Sequence, residues 1–376
     1  MLNILVDENI ALAEKVFSSF GKVTLFPGRK INNSLIKKAE ILIVRSITKV
    51  NRELLEDTNI KFVGSATIGV DHLDINYLNE KNIYYCNAPG SNSYSVAEYI
   101  ITALLNLAIR YNFSLKDKSI GIIGVGNIGS KVADFAKAFG MNVLLNDPPL
   151  KELTSDQKYL PLKEVLNADI LTLHVPFTAK GKYKTHHLFD LNALKNLKDN
   201  SILINTSRGS VVDNTALANI LKSKKLLTVL DVWENEPNIN LDLLKLVAIG
   251  TSHIAGYSLD GKTNGTKAIY NHLCKFLKQK PQWNFEKQAV TSKELTFENA
   301  GTLENSLLSI IKNIYDINDD HKNLLNILKS KKNIFDDLRK NYKTRREFIN
   351  YNVLINSRYE KEKSILEKLR FNIHVN

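Results

Sequence analysis

A chain of 376 residues, 44% hydrophobic and 24% charged, is too long for one compact core and too apolar for disorder, so two or three folded domains are expected. Only Cys86 and Cys274 are present, which excludes a disulfide framework and a cysteine metal cluster and fits a reducing, cytoplasmic setting. The best apolar run, 96–109, is short and carries Glu98 and Asn106, and the opening MLNILVDENI lacks the blocks of a secretion signal. The net charge of +12 is uneven: from His321 onward there are 14 Lys and Arg against 6 Asp and Glu. With no nucleic-acid motif beside it, this surplus reads as a solvated helical face, part of which can attract an anionic substrate.

In chain order, short apolar runs predict strands at 3–6, 22–26, 41–44, 60–64 and 83–86, separated by helical patterns at 10–20, 34–39, 52–57 and 75–81. A helix over 93–111 follows, with Ser93 or Ser95 as cap and Glu98 as capping-box partner. A second series of strands is expected at 119–123, 142–146, 170–174, 201–205, 227–231 and 246–250, again alternating with helices. Two successive parallel α/β units are the simplest reading. After Pro281 glycine nearly vanishes, and residues 285–376 read as a separate, mainly helical third module.

The most specific signal is the segment SIGIIGVGNIGSKVADFAKAFGMNVLLND. An apolar strand runs into Gly124-x-Gly126-x-x-Gly129 and then a helix beginning near Asn127 and Ile128. The glycines permit a tight turn, close approach of a pyrophosphate, and helix–strand packing, while the helix start offers free N–H groups to phosphate. Asp147 ends the next strand, where a carboxylate meets the adenosine ribose hydroxyls, and no Arg or Lys stands beside it to take a 2′-phosphate. The cofactor expected is NAD.

Arg208, Glu236 and His253 each follow an apolar strand of the second series, so their loops can converge at the carboxyl ends of one sheet. Hydride transfer from an alcohol needs a base for the hydroxyl proton. A neutral imidazole serves, a carboxylate beside it favours the imidazolium, and a guanidinium grips a carboxylate or keto oxygen. Among eight histidines, His253 alone lies between nearby glycines, Gly250 and Gly256. His72 and His272 read as structural, His186, His187, His321 and His374 as surface residues, and His174 as a competitor packing near the nicotinamide ribose. No metal-ligand pattern stands out.

GVGNIG with Asp147, INTSRGSVVD around Arg208, DVWENEP around Glu236 and TSHIAG around His253 together resemble the D-isomer-specific 2-hydroxyacid dehydrogenases. VRSITKVN, GSATIGVDHLD, APGSNSYSVAEY, YKTHHLF, HIAGYSLDGKTNGT and IFDDLRKNYKTRREF are similar to a branch acting on a phosphorylated acid. The resemblance implies an α/β fold of two Rossmann-like, doubly wound parallel-sheet domains with a smaller C-terminal domain. It divides the chain into a flavodoxin-like substrate domain, 1–92 with 257–284, an NAD-binding domain, 93–256, and a dimerisation domain, 285–376. It implies cofactor contacts from Asp147, His174, Val175, Asp231 and Gly256, with Val175 limited to backbone contact because many relatives carry Thr there. It also implies substrate contacts from Ser46, Thr67 and Tyr257. Arg45, or Arg345 and Arg346, would hold the phosphate. The rival readings are a dehydrogenase for another 2-hydroxy acid, such as 3-phosphoglycerate, and a non-catalytic NAD(H)-sensing protein on the same fold.

Overall fold

The computed structural model describes residues 1–285, 293–330 and 332–376. It divides into two compact units, Met1–Asn92 with Ser258–Val290, and Ser93–Tyr257 with Thr291–Asn376.

The first unit is built on five parallel strands, β1 (Leu2–Asp7), β2 (Gly21–Phe26), β3 (Ile41–Val44), β4 (Phe62–Ser65) and β5 (Tyr84–Cys86), in the order β2-β1-β3-β4-β5. β3 and β4 are buried at every position, as expected where both faces of a parallel sheet are covered. The connecting helices are shorter than predicted. The first spans only Ala13–Phe17, because Leu12 takes a left-handed φ of 58° and bars the helix from starting earlier. Asn32, Asn51 and Asp74 start three others by accepting N–H groups of Leu35, Leu54 and Tyr77. The helix Leu259–Phe276 lies on this sheet. A Cβ at Gly265 would come within 2.8 Å of the Ala66 carbonyl, so glycine is what allows that approach.

The second unit carries six parallel strands, β6 (Ser119–Ile123), β7 (Asn142–Asn146), β8 (Ile170–Leu173), β9 (Ile202–Asn205), β10 (Leu227–Leu230) and β11 (Ile249–Gly250). Their order is β11-β10-β9-β8-β6-β7, so the direction of winding reverses between β6 and β8. A crevice outside the carboxyl ends of the strands at such a reversal is where open α/β sheets bind ligands. The helix Ser93–Tyr111 is buried from Val96 to Ala108 and forms the spine of the largest core.

The tail is not purely helical: β12 (Lys293–Thr296), β13 (Tyr351–Ile355) and β14 (Asn372–Val375) form a parallel sheet in that order. More than fifty residues separate β12 from β13, so no local alternation announces the pair. The tail packs against the long helix. Leu307, Leu308, Ile310, Ile311, Phe348 and Val353 share one core with Leu104, Leu105 and Leu107 of the long helix. The opening of the expected module, 286–292, lies outside the described residues. Ser95 and Glu98 do not form a capping box. The Ser95 hydroxyl donates to Glu347 Oε1 at 2.8 Å, and Glu98 Oε1 accepts the Phe348 N–H at 2.8 Å. The side chains expected to start the helix tie it to the tail instead. No helix among the described residues is long and apolar enough to cross a membrane.

Candidate active site

Every cofactor and catalytic residue expected on the second sheet follows the carboxyl end of one of its strands. The glycine turn leaves β6, Asp147 follows β7, His174 and Val175 follow β8, Arg208 follows β9, Asp231 and Glu236 follow β10, and His253 and Gly256 follow β11.

The turn after β6 has the features a pyrophosphate requires. Gly124 sits at φ 87°, and a Cβ there would strike the His174 carbonyl carbon at 2.7 Å. A Cβ at Gly129 would lie 2.0 Å from the Gly124 oxygen, whereas one at Gly126 would meet nothing within 4 Å. The first and third glycines therefore serve packing, and the second keeps space open. The helix Asn127–Ala138 begins at Gly126 with no side-chain cap, leaving its first N–H groups to a ligand. Asp147 ties the site together, with Oδ2 accepting the Val125 N–H at 2.8 Å and Oδ1 that of Leu150 at 3.0 Å. His174 Nε2 is within 2.9 Å of Thr172 Oγ1, while its buried Nδ1 has no partner. Burial pushes this imidazole down to about 3, so it is neutral at physiological pH. An open glycine, an uncapped helix start and an orphaned ring nitrogen fit a dinucleotide.

Next to this crevice the loops after β9, β10 and β11 are locked together. His253 Nδ1 and Glu236 Oε2 are 2.8 Å apart, and Glu236 Oε1 accepts the Trp233 N–H at 2.9 Å. Burial alone would raise the Glu236 carboxyl. The His253 charge and hydrogen bond, the Trp233 N–H and the Arg339 guanidinium outweigh that cost and hold it below the usual carboxylate range. His253 itself adopts φ 58°, a left-handed conformation that costs a non-glycine residue about 1–3 kcal/mol and collects at functional sites. Asp231 enforces it. Its backbone carbonyl accepts the His253 N–H at 2.7 Å, and its carboxylate accepts from Thr251 Oγ1 at 2.6 Å, Ile254 N at 2.7 Å and Ala255 N at 3.0 Å. Asp231 thus shapes the His253 loop.

Arg208 stands on a loop clamped by Asn205. The Asn205 amide donates to the Arg208 carbonyl at 2.9 Å, and its oxygen accepts from the Ser207 hydroxyl and N–H at 2.8 and 3.0 Å. A Cβ on Gly209 would fall 2.0 Å from the Trp233 carbonyl group, so glycine lets the Arg208 loop lie flat on the strand exit that leads to Glu236. Asn205, Gly209 and Trp233 organise the site, and sequence reasoning passed over all three.

Other residues are placed as follows. Ser46 is exposed just after β3, and Thr67 follows β4 with its hydroxyl 2.8 Å from that of Ser65; both belong to the first unit. Tyr257 belongs to the second unit, and Tyr342 stands edge-on to it with centroids 6.0 Å apart. Arg45 donates to the buried Asp7 carboxylate at 3.0 Å. Arg345 is buried and engaged within the second unit. It is 3% exposed, donates to the carbonyls of Ser95 and Ala255, and lies over the Tyr315 ring at 4.4 Å. Arg346 is bound to Asn350. Two histidines taken as surface residues have internal roles: His321 Nδ1 accepts the Gly250 N–H at 3.0 Å, and His187 Nε2 is 2.7 Å from Glu234. His186, His187 and Glu234 cluster closely, yet the two rings stack 4.0 Å apart at 16°, which keeps both from directing an in-plane lone pair at one ion.

Comparison with known proteins agrees with this geometry. Residues 106–255 match the NAD binding domain of the D-isomer specific 2-hydroxyacid dehydrogenases, and 288–369 match a domain of unknown function (DUF3410). A D-lactate dehydrogenase from Aquifex aeolicus, solved with NAD and lactic acid, superposes with a TM-score of 0.60 at 27% identity, covering 73% of this chain and 95% of its own. The erythronate-4-phosphate dehydrogenase of Photorhabdus laumondii is 42% identical, over 96% of this chain and 97% of its own. That of Wigglesworthia glossinidia brevipalpis is 44% identical, over 99% and 98%. With a glycine-lined nucleotide crevice, a histidine–carboxylate pair beside it and this likeness over nearly its whole length, the chain belongs to the erythronate-4-phosphate dehydrogenase family, within the D-isomer specific 2-hydroxyacid dehydrogenases.

Proposed function

We propose that this chain oxidises erythronate 4-phosphate at C2 to 3-hydroxy-2-oxo-4-phosphooxybutanoate, reducing NAD, in the formation of pyridoxal 5′-phosphate. The observation that carries the reading is the 2.8 Å contact of His253 Nδ1 with Glu236, on the same sheet edge as the glycine turn. Because Nδ1 is engaged, Nε2 is the nitrogen that takes the C2 hydroxyl proton. Glu236 fixes the tautomer and balances the imidazolium that forms. Arg208 binds the substrate carboxylate and polarises the forming carbonyl. Bound NAD supplies the hydride acceptor. The turn at 124–129 and the helix start behind it hold the pyrophosphate, Asp147 meets the ribose hydroxyls, and neutral His174 lines the crevice. Ser46, Thr67 and Tyr257 contact the substrate, as the family likeness suggests, and Arg45 remains the candidate for its phosphate. The same likeness supports a homodimer joined through the C-terminal residues. Two free, buried cysteines suit a cytoplasmic location.

The test is NADH formation with a panel of 2-hydroxy acids with and without a terminal phosphate. Erythronate 4-phosphate should give the highest kcat/KM, and His253→Ala should abolish turnover. Equal rates with unphosphorylated acids would remove the substrate assignment while leaving the dehydrogenase. Sedimentation of the full chain tests the dimer.

A further inference from the structure

Behind the histidine loop, one buried residue joins contacts from both members of the catalytic pair. Thr251 directly follows β11, two residues before His253, and is fully buried. Its hydroxyl has a single hydrogen, which goes to Asp231 Oδ1 at 2.6 Å. Tyr99, whose hydroxyl lies 2.7 Å from the same Thr251 oxygen, must therefore be the donor of that bond. The chain of bonds thus runs one way, from Tyr99 in the middle of the long helix to Thr251 and on to Asp231. Asp231 ends it by accepting the N–H groups of Ile254 and Ala255, just beyond His253. The Thr251 carbonyl takes a further bond, from the Trp233 indole N–H at 2.9 Å, and the backbone N–H of that same Trp233 donates to Glu236. The Trp233 ring also presses on the strand before Thr251, since a Cβ on Gly250 would come within 2.9 Å of Cζ2. His253 is therefore tied to Thr251 through Asp231, and Glu236 through Trp233. Tyr99, Thr251, Asp231 and Trp233 are all buried, so a bond lost among them leaves its partner unsatisfied.

We propose that Thr251 is a positioning residue whose hydroxyl, itself fixed by Tyr99, sets the imidazole of His253 against Glu236. The inference rests on the reading of His253 as the base. His253 is held at φ 58°, which it keeps only while its surroundings impose it. The Asp231 carboxylate imposes it, and the Thr251 hydroxyl aims that carboxylate. Without the hydroxyl, Asp231 loses one of the two donors on Oδ1, and the loop is free to relax toward an ordinary backbone. The imidazole then drifts from the position at which Nε2 meets the C2 hydroxyl, and a misplacement of about 1 Å is worth about a hundredfold in rate.

The experiment compares the full chain with Thr251→Val, Thr251→Ser and Tyr99→Phe in steady-state NADH formation, with erythronate 4-phosphate and NAD, well below the Tm of each variant. Valine keeps the shape and removes the hydroxyl. Its bond from Trp233 to the backbone is kept, so the change is read at the His253 loop and not at Glu236. Thr251→Val should lose about tenfold to a hundredfold in kcat, with KM for substrate within about threefold of the parent. Thr251→Ser, which restores the hydroxyl, should return kcat to within about threefold. Tyr99→Phe should fall between them, because Thr251 still donates to Asp231 but is no longer fixed itself. Nitrogen NMR of the His253 ring gives a signature that a general loss of stability would not produce. The parent should carry its hydrogen on Nδ1, and Thr251→Val should show a share of rings with the hydrogen on Nε2. Parental kcat and a parental ring spectrum in folded Thr251→Val overturn the proposal, as does an equal loss of kcat in the serine and valine variants. If the valine variant does not fold, the same two parental readings in Tyr99→Phe overturn it. An inactive parent, or an active His253→Ala variant, would sink the functional reading instead, while the ring spectra still test the hold of Thr251 on His253.

Discussion

Replacing Glu236 by Gln changes one atom and removes one charge, and its effect can be worked out from two contacts. The carboxylate accepts twice, from Trp233 N at 2.9 Å and from His253 Nδ1 at 2.8 Å. Glutamine has one oxygen and one NH2, so it can serve one of these donors and must present a donor to the other. If the oxygen keeps Trp233, the amide hydrogens face Nδ1 and drive the ring proton to Nε2, the nitrogen needed for the substrate. If the amide turns, the Trp233 N–H is left unsatisfied, at about 1–3 kcal/mol. In either orientation the charge-assisted bond to the imidazolium is gone, worth about 1.5–3 kcal/mol as the base takes its proton. Where the amide must turn, the sum, roughly 2.5–6 kcal/mol, predicts a kcat lower by about a hundredfold to ten-thousandfold. KM for substrate should change little, since Glu236 touches the imidazole and not the substrate. Steady-state NADH formation measures this, with circular dichroism to show that the fold is retained. A folded Glu236→Gln enzyme within about threefold of the parent kcat would refute the role given to this pair.

The glycine turn makes a paired prediction. Gly126→Ala should fold with parental Tm, because its Cβ meets nothing, yet raise KM for NAD by about tenfold or more by occupying space kept for the pyrophosphate. Gly129→Ala, with its Cβ 2.0 Å from a carbonyl oxygen, should lower Tm by itself. Neutral, buried His174 binds a proton at about 3 when folded and near 6.5 when unfolded, so below 6.5 the unfolded chain takes up the proton first. Stability should therefore fall as pH drops from about 6.5 toward 3, by at most about 1.4 kcal/mol per unit from this group. His174→Gln should flatten that limb in urea titrations, and an unchanged slope would count against the assignment. Arg345→Met should lower Tm, leaving the Ser95 and Ala255 carbonyls without their donor at about 1–3 kcal/mol each. A loss of substrate affinity with unchanged Tm would return Arg345 to the phosphate site.

The sequence by itself marked the strands of the first two sheets, the glycine turn and the candidates for the catalytic pair, for a local reason. β3, β6 and β7 were legible to the residue because parallel strands buried on both faces read as continuous apolar runs, and Gly124, Gly126 and Gly129 carry their function in their spacing. Each catalytic residue could be placed because it directly follows such a strand. Only the tertiary structure decided what surrounds them. Nothing local marks Ser95 and Glu98 as ties to the tail, Arg345 as a buried prop under Ala255, or Arg339 as the neighbour of Tyr257, because each contact spans from about eighty to two hundred and fifty residues. Likewise, the three tail strands are short and far apart, and their pairing appears only when the chain brings them side by side. Residue type and spacing report what a segment buries against its own sheet; the partner supplied by a distant segment is fixed by packing alone.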